Sequence, residues 1–247
     1  MARDKTSHHR HAAFPATRWS LLLAARGGSA PEARRQLNEL FTIYWSPLHA
    51  FLRRRGLSRE DAQDLTQEFL ADLLRRDFLA GIDPAKGKFR SFLLASLQHF
   101  LSNDRAKEGR LKRGGGHKLH ALLSDEAERR YVAEPADHLT PEKLFEREWA
   151  RTLLDRAADR LRDQCAGKGQ ARLYDELWPC VAADSNAPPL LSLAGRLGKS
   201  EGAIRVVVHR FRQRLRELLR EEVAGTVSTP EEVEEEMRDL FRAVMEP

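Results

Sequence analysis

Apolar residues recur at three- and four-residue intervals through most of the chain, and no segment alternates apolar and polar positions at period two. The pattern predicts helices and no half-buried strands. Thr17 can cap a short helix through Trp19, Leu22 and Leu23, which Gly27-Gly28-Ser29 breaks. Pro31 then opens a long helix in which Leu37, Leu40, Phe41, Tyr44, Trp45, Leu48, Phe51 and Leu52 share one face, bent at Pro47 and stopped by Gly56. Ser58 caps a third helix with Glu60 and Asp61 in its first turn and the stripe Ala62, Leu65, Phe69, Leu73. After a loop marked by Asp83-Pro84 and Gly87, the stripe resumes at Phe89, Phe92, Leu93, Leu97, Phe100 and Leu101.

Periodicity lapses at Gly114-Gly115-Gly116. The stretch up to Pro141 has few large apolar residues and reads as a linker, partly ordered at most. From Thr140 a second helical series begins. Leu144, Phe145, Trp149, Leu153, Leu154, Ala157 and Leu161 form one stripe; Leu173, Leu177 and Trp178 form the next, expected to end at Pro179. The fold expectation is all-α with two helical domains. It divides the chain into a leader and short helix at 1–31, a first domain at 32–113, a linker at 114–139, a second domain at 140–225 and an acidic extension at 226–247.

Residues 190–218 carry the sharpest signal. Leu190, Leu193, Ala194 and Leu197 define a short helix, Gly198 suits a left-handed turn, and Ser200 can cap a following helix. That helix buries Ile204, Val208, Phe211, Leu215 and Leu218 and turns Arg205, Val206, His209, Arg210, Arg212 and Gln213 outward. Helix, glycine turn and basic helix form the layout of a helix-turn-helix, whose second helix enters the major groove. A solvated basic face on an ordinary helical hairpin is the alternative.

Charge sharpens the picture. The 247 residues carry 42 Lys+Arg against 37 Asp+Glu, a formal charge of +5. Arg105, Lys107, Arg110, Lys112, Arg113 and Lys118 cluster against Asp104 and Glu108, and a second basic stretch runs from Arg205 to Arg220. The tail after Gly225 is acidic, with Val233, Met237, Leu240, Phe241 and Val244 forming an apolar stripe. It is expected to dock on the chain's own basic stretch Arg205–Arg220, the alternative being a plain extension of the second domain's core. Two cysteines, Cys165 and Cys180, cannot build a disulfide framework or a four-thiolate metal site, and no apolar run is long enough to span a bilayer. No apolar segment follows the basic residues of the start, so a cytoplasmic location without a secretory signal is expected.

Asp61, Asp64, Gln67 and Glu68 share one side of their helix. With His99 added, such a set is one way to hold a divalent metal, which makes a nuclease a third reading; a solvated or partner-facing surface is the alternative.

Taken together these segments resemble the bacterial sigma-seventy family, extracytoplasmic-function type. Leu57-Ser-Arg-Glu-Asp-Ala-Gln-Asp-Leu-Thr-Gln-Glu-Phe-Leu70 is similar to that family's region two helix, and Lys88-Phe-Arg-Ser-Phe-Leu-Leu-Ala-Ser-Leu-Gln-His-Phe-Leu101 to the promoter-melting helix after it. Gly198-Lys-Ser-Glu-Gly-Ala-Ile-Arg-Val-Val-Val-His-Arg-Phe-Arg212 resembles region four. Phe14-Pro-Ala-Thr-Arg-Trp-Ser20, the Lys112-Arg-Gly-Gly-Gly116 run and the acidic tail resemble a subgroup common in planctomycete-like genomes. Phe92 stands where the family usually has Trp, and His99 where it often has Asn.

The resemblance implies a transcription initiation factor that binds core RNA polymerase and promoter DNA, needs no cofactor or metal and catalyses nothing itself. An anti-sigma factor or another regulator is the further partner it implies. It places polymerase contacts on Asp61, Asp64, Gln67 and Glu68. It places minus-ten and backbone contacts on Arg90, Phe92, His99, Asn103, Lys107, Arg110, Lys112 and Arg113. Upstream-element contacts fall on Lys199, Ser200, Glu201, Arg205, Val206, His209, Arg210 and Arg212. The rival from another class is a stand-alone helix-turn-helix regulator that never meets polymerase.

Overall fold

The computed structural model describes residues 31–75, 88–105, 118–133, 139–227 and 229–245. These form nine helices and no strand. They are α1 (Pro31–Arg54), α2 (Arg59–Arg75), α3 (Phe89–Arg105), α4 (Lys118–Ala133), α5 (Pro141–Gly167), α6 (Ala171–Val181), α7 (Leu190–Leu197), α8 (Glu201–Ala224) and α9 (Pro230–Met245). The helix expected after Thr17 lies outside the described residues.

Local chemistry accounts for several boundaries. Ser58 Oγ accepts from the Asp61 backbone N–H at 3.1 Å and donates to the Asp61 carboxylate at 2.8 Å, closing a reciprocal cap on α2. Thr140 Oγ1 accepts from Lys143 N–H at the start of α5, where Pro141 takes the first-turn position. Gly56 turns the chain after α1 at φ +91°, a conformation that side chains resist. Pro47 lies inside α1 and removes one backbone hydrogen bond, yet the helix runs on because Tyr44, Trp45, Leu48 and Phe51 around it are buried. Likewise α6 does not end at Pro179 but continues to Val181, whose side chain is buried with Leu177 and Cys180.

Two apolar clusters organise the packing. The large one joins α1, α2, α3, α5, the C-terminal half of α8 and α9, with Ala127 of α4 and Tyr174 of α6 at its edge and Trp45, Phe51, Phe69, Phe89, Phe145, Trp149, Leu153, Leu219 and Leu240 among its buried members. Tyr44 lies edge-on to Phe89 at 5.2 Å and stacks with Phe145 at 6.3 Å, tying α1, α3 and α5 at one point. The small cluster contains Leu177, Cys180, Val181, Leu193, Ala194, Ile204 and Val208 from α6, α7 and the start of α8. Trp178, Phe211 and Leu215 pack against both. The sequence reading put α5 with the C-terminal half, but α5 packs most extensively against α1, so the two halves share one buried cluster.

The expected linker also needs correction. Residues 118–133 of it form α4, which packs on α1. The segment looked unstructured because large apolar residues are few across it, and among its described side chains both charge and apolar contacts dock it. Arg53 Nε and Nη2 each donate to one carboxylate oxygen of Glu128 at 3.0 Å, and Arg130 bonds Asp155 of α5 at 2.9 Å. Ala127 is buried at the contact.

Candidate nucleic-acid interface

The α7–Gly198–α8 unit forms as its residues dictate. Gly198 takes φ +60°, ψ 36° and closes α7 by donating its N–H to the carbonyls of Ala194 and Gly195. Ser200 is extended, and its Oγ accepts from Ala203 N–H at 3.2 Å to start α8. Leu193, Ala194, Ile204 and Val208 lock the two helices through their apolar faces.

The opposite face of α8 is open. Arg205, Val206, His209 and Arg210 are exposed, as are Lys199 and Ser200 before them. Val206 keeps 49% of its surface and Leu191 on α7 71%, so apolar spots sit among the cations. Arg205 donates to Glu201 at 2.7 Å, one turn back, so the nearest acid partly neutralises it. Such a face offers guanidinium groups to phosphates and base edges and a valine to a thymine methyl.

Arg212 has a different job. Its Nη2 donates to the Cys180 carbonyl at 2.6 Å and its Nε to Val181 at 3.3 Å, so it ties α8 to the C-terminal end of α6. It sits where a positive charge satisfies the last carbonyls of a helix, while the residue as a whole stays exposed beside Arg205, His209 and Arg210.

On α2, Asp61, Asp64 and Glu68 are exposed and Gln67 is half-buried, while Ala62, Thr66, Phe69 and Leu70 face inward. The acidic row is a surface. No group of three His, Cys, Asp or Glu side chains among the described residues is arranged to hold a metal ion.

On α3, His99 is exposed and Phe92 is half-buried against the core. Asn103 lies in the last turns of the helix. Lys107, Arg110, Lys112 and Arg113 lie outside the described residues.

Arg90 is the main correction. It is 5% exposed and cannot present its guanidinium to DNA in this arrangement. Its Nε and Nη2 donate to the two carboxylate oxygens of Glu236 at 2.9 Å each, Nη2 also to Asp239 at 2.7 Å, and Nη1 to Glu146 at 3.2 Å. The guanidinium lies over the Trp149 ring at 4.6 Å. Lys88 reaches the same acids, bonding Glu235 at 3.1 Å, Glu236 at 3.0 Å and also Asp239. Desolvation of the Arg90 guanidinium is outweighed by Glu236, Asp239 and Glu146, which hold it above its ordinary range. Burial pushes the Glu236 carboxyl up against the pull of Arg90 and Lys88.

The tail therefore docks on its own chain, but elsewhere than expected. Val233, Met237 and Leu240 of α9 enter the large cluster, and its inner acids meet α3. From the stretch Arg205–Arg220, Leu218 and Leu219 share the large cluster with it, and Arg220 meets Glu234 in an exposed pair at 2.7 Å.

Sequence reasoning missed this network, although a signal was present. Arg90 lies in the row with Leu93 and Leu97, and Glu236 between Val233 and Leu240, so both charges occupy buried helical positions. Glu222, 2% exposed, repeats the device by accepting from Arg156 and Arg160 at 2.9 Å each.

Compared with known proteins, the chain matches no family model, no curated protein and no solved structure. Among the described residues no helix is long and apolar enough to cross a membrane.

Proposed function

We propose that this protein is a sigma factor of the extracytoplasmic-function type, which brings core RNA polymerase to promoter DNA and adds no covalent chemistry of its own. The observation that carries the reading is the α7–Gly198–Ser200–α8 unit, with its outer face of Arg205, Val206, His209 and Arg210 held open by a purely apolar inner face. The finer architecture belongs to the same proposal: α1–α3 form the polymerase- and minus-ten-binding region, and α6–α8 form the upstream-element region. The acidic row of Asp61, Asp64 and Glu68 supports a protein partner, because carboxylates beside phosphates are repelled. With a net +5 charge, the chain as a whole favours a polyanion.

The decisive experiment is in vitro transcription by core polymerase on genomic fragments, with and without this chain. Chain-dependent transcripts from discrete start sites are expected. The second measurement is a pull-down with core polymerase using Asp61→Arg with Asp64→Arg. That variant should lose polymerase while binding duplex DNA as before. Unchanged polymerase binding, with duplex binding retained, would hand the assignment to the stand-alone regulator.

A further inference from the structure

We infer that α9 is a clasp on α3: Glu236 and Asp239 hold Lys88 and Arg90 inside the closed protein, and single-stranded DNA engages this edge of α3 only when α9 releases them. The inference rests on the proposed function and names how the first DNA-facing region is regulated.

Charge comes first. Lys88 and Arg90 meet four carboxylates, Glu146, Glu235, Glu236 and Asp239, so the edge presents an excess of negative charge where a DNA-binding helix needs the reverse. Geometry comes second. Arg90 meets Glu236 through two parallel N–H···O bonds, the fork that also fits a phosphate, so a DNA backbone offers the freed guanidinium an equivalent partner. Reversibility comes third. α9 has 16 residues, of which Val233, Met237 and Leu240 anchor its stripe, while Phe241, Val244 and Met245 stay exposed. A helix of that length is marginal once its anchors leave. Only five residues, 225–229, separate it from α8 along the chain, so it competes from within the chain at high effective concentration.

The test measures anisotropy of a fluorescein-labelled, mixed-sequence single-stranded 20-mer at low salt, with a duplex of the same sequence as reference. Full-length Glu236→Gln with Asp239→Asn opens the clasp by removing the charge of both acids that hold Lys88 and Arg90; Glu231→Gln with Glu234→Gln removes the same charge from the outer face of α9. The clasp variant should bind the single strand at least about fivefold more tightly than the outer-face variant, with equal duplex affinity. Hydrogen exchange on the wild-type chain gives a reading independent of variant folding: the single strand should strip protection from the α9 amides. Equal single-strand affinities for two folded variants, or unchanged α9 exchange in wild type under saturating single strand, overturns the clasp. Failure of the sigma reading looks different: core polymerase gives no chain-dependent transcript whatever α9 does.

Discussion

The two apolar clusters handle charge in opposite ways. The small cluster behind the helix-turn-helix buries Leu177, Cys180, Val181, Leu193, Ala194, Ile204 and Val208 and no charged side chain. The large body buries Arg90, Glu128, Glu148, Glu222 and Glu236, together with the fully enclosed His49. Apolar burial does not titrate, so the placing of α8 and its outer cations does not hinge on a buried ion pair. A body held partly by desolvated ion pairs is conditional, because each pair depends on its partner staying in place. Under the proposed function, the difference would leave the α8 face always ready and put the α3 edge under the control of α9.

The sharpest way to break the comparison is Glu236→Ala. It leaves Arg90 charged, 5% exposed and short of its bidentate partner, and one-sided loss of a buried pair costs about 3–5 kcal/mol. Thermal unfolding followed by circular dichroism should show a large fall in Tm. Replacing both partners, Arg90→Met with Glu236→Leu, should recover most of the loss, since an apolar pair carries no desolvation penalty. A mild effect from Glu236→Ala would mean that Lys88 and Asp239 suffice and the pair is not the clasp's centre.

Acid should separate the two regions next. His49, enclosed beneath Glu128 with Nε2 3.5 Å from its carboxylate, faces Arg53 on its own helix and Arg59 at the start of α2. Burial, helped by those two arginines and opposed by Glu128, lowers its pKa to about 4. The unfolded chain takes the proton near pH 6.5 and the folded one resists until about 4. Stability is therefore full above pH 6.5 and lost as pH falls through that window, by about 3 kcal/mol at most. His49→Gln should flatten the fall between pH 6.5 and 4. An equal pH slope in both proteins would assign the loss to the carboxylates.

Arg212→Ala should cost about 1.5–3 kcal/mol, the worth of hydrogen bonds from a charged donor to the Cys180 and Val181 carbonyls, while duplex affinity changes little. Arg210→Ala should do the reverse, leaving stability alone and weakening duplex binding by about 1–3 kcal/mol where a base is read. The two arginines are two residues apart on one helix, and only the structure divides their labour.

That pair marks the limit of legibility. Helix starts at Ser58, Thr140 and Ser200 and the turn at Gly198 were readable because each rests on one residue's local chemistry. The apolar stripes were readable because burial repeats at helical period. α4 was not, since its docking depends on Glu128 finding Arg53, 75 positions away, which no local pattern records. The clasp was half readable: its apolar row announced docking, but the acids' choice of Lys88 and Arg90 over the longer basic stretch on α8 follows from the shape of the cluster that receives Val233, Met237 and Leu240. Of the candidate DNA contacts, Arg205, Val206, His209, Arg210 and Arg212 on α8 are all exposed, whereas Arg90 could be placed only by seeing what covers it.

The smallest effect probes the open face itself. Glu201 begins α8, where its charge favours the helix N-terminus, and it bonds Arg205, a side chain 71% exposed. An exposed pair one turn apart is worth about 0.3–0.5 kcal/mol, so Glu201→Gln should lower stability by no more than about that with its dipole contribution added. Its effect on DNA should have the opposite sign. The carboxylate sits at the end of α8 that a helix-turn-helix points into the groove, where it repels phosphates and occupies Arg205. Removing the charge frees Arg205 and should raise duplex affinity a few-fold at low salt, on the order of the 1 kcal/mol that two charges about 4 Å apart exchange in water. The gain should shrink as salt rises, because both contributions are exposed. A loss of affinity confined to particular sequences would instead make Glu201 a base reader, accepting from a cytosine amino group. Duplex titrations of wild type and Glu201→Gln at two salt concentrations, over several sequences, separate the two roles of that carboxylate.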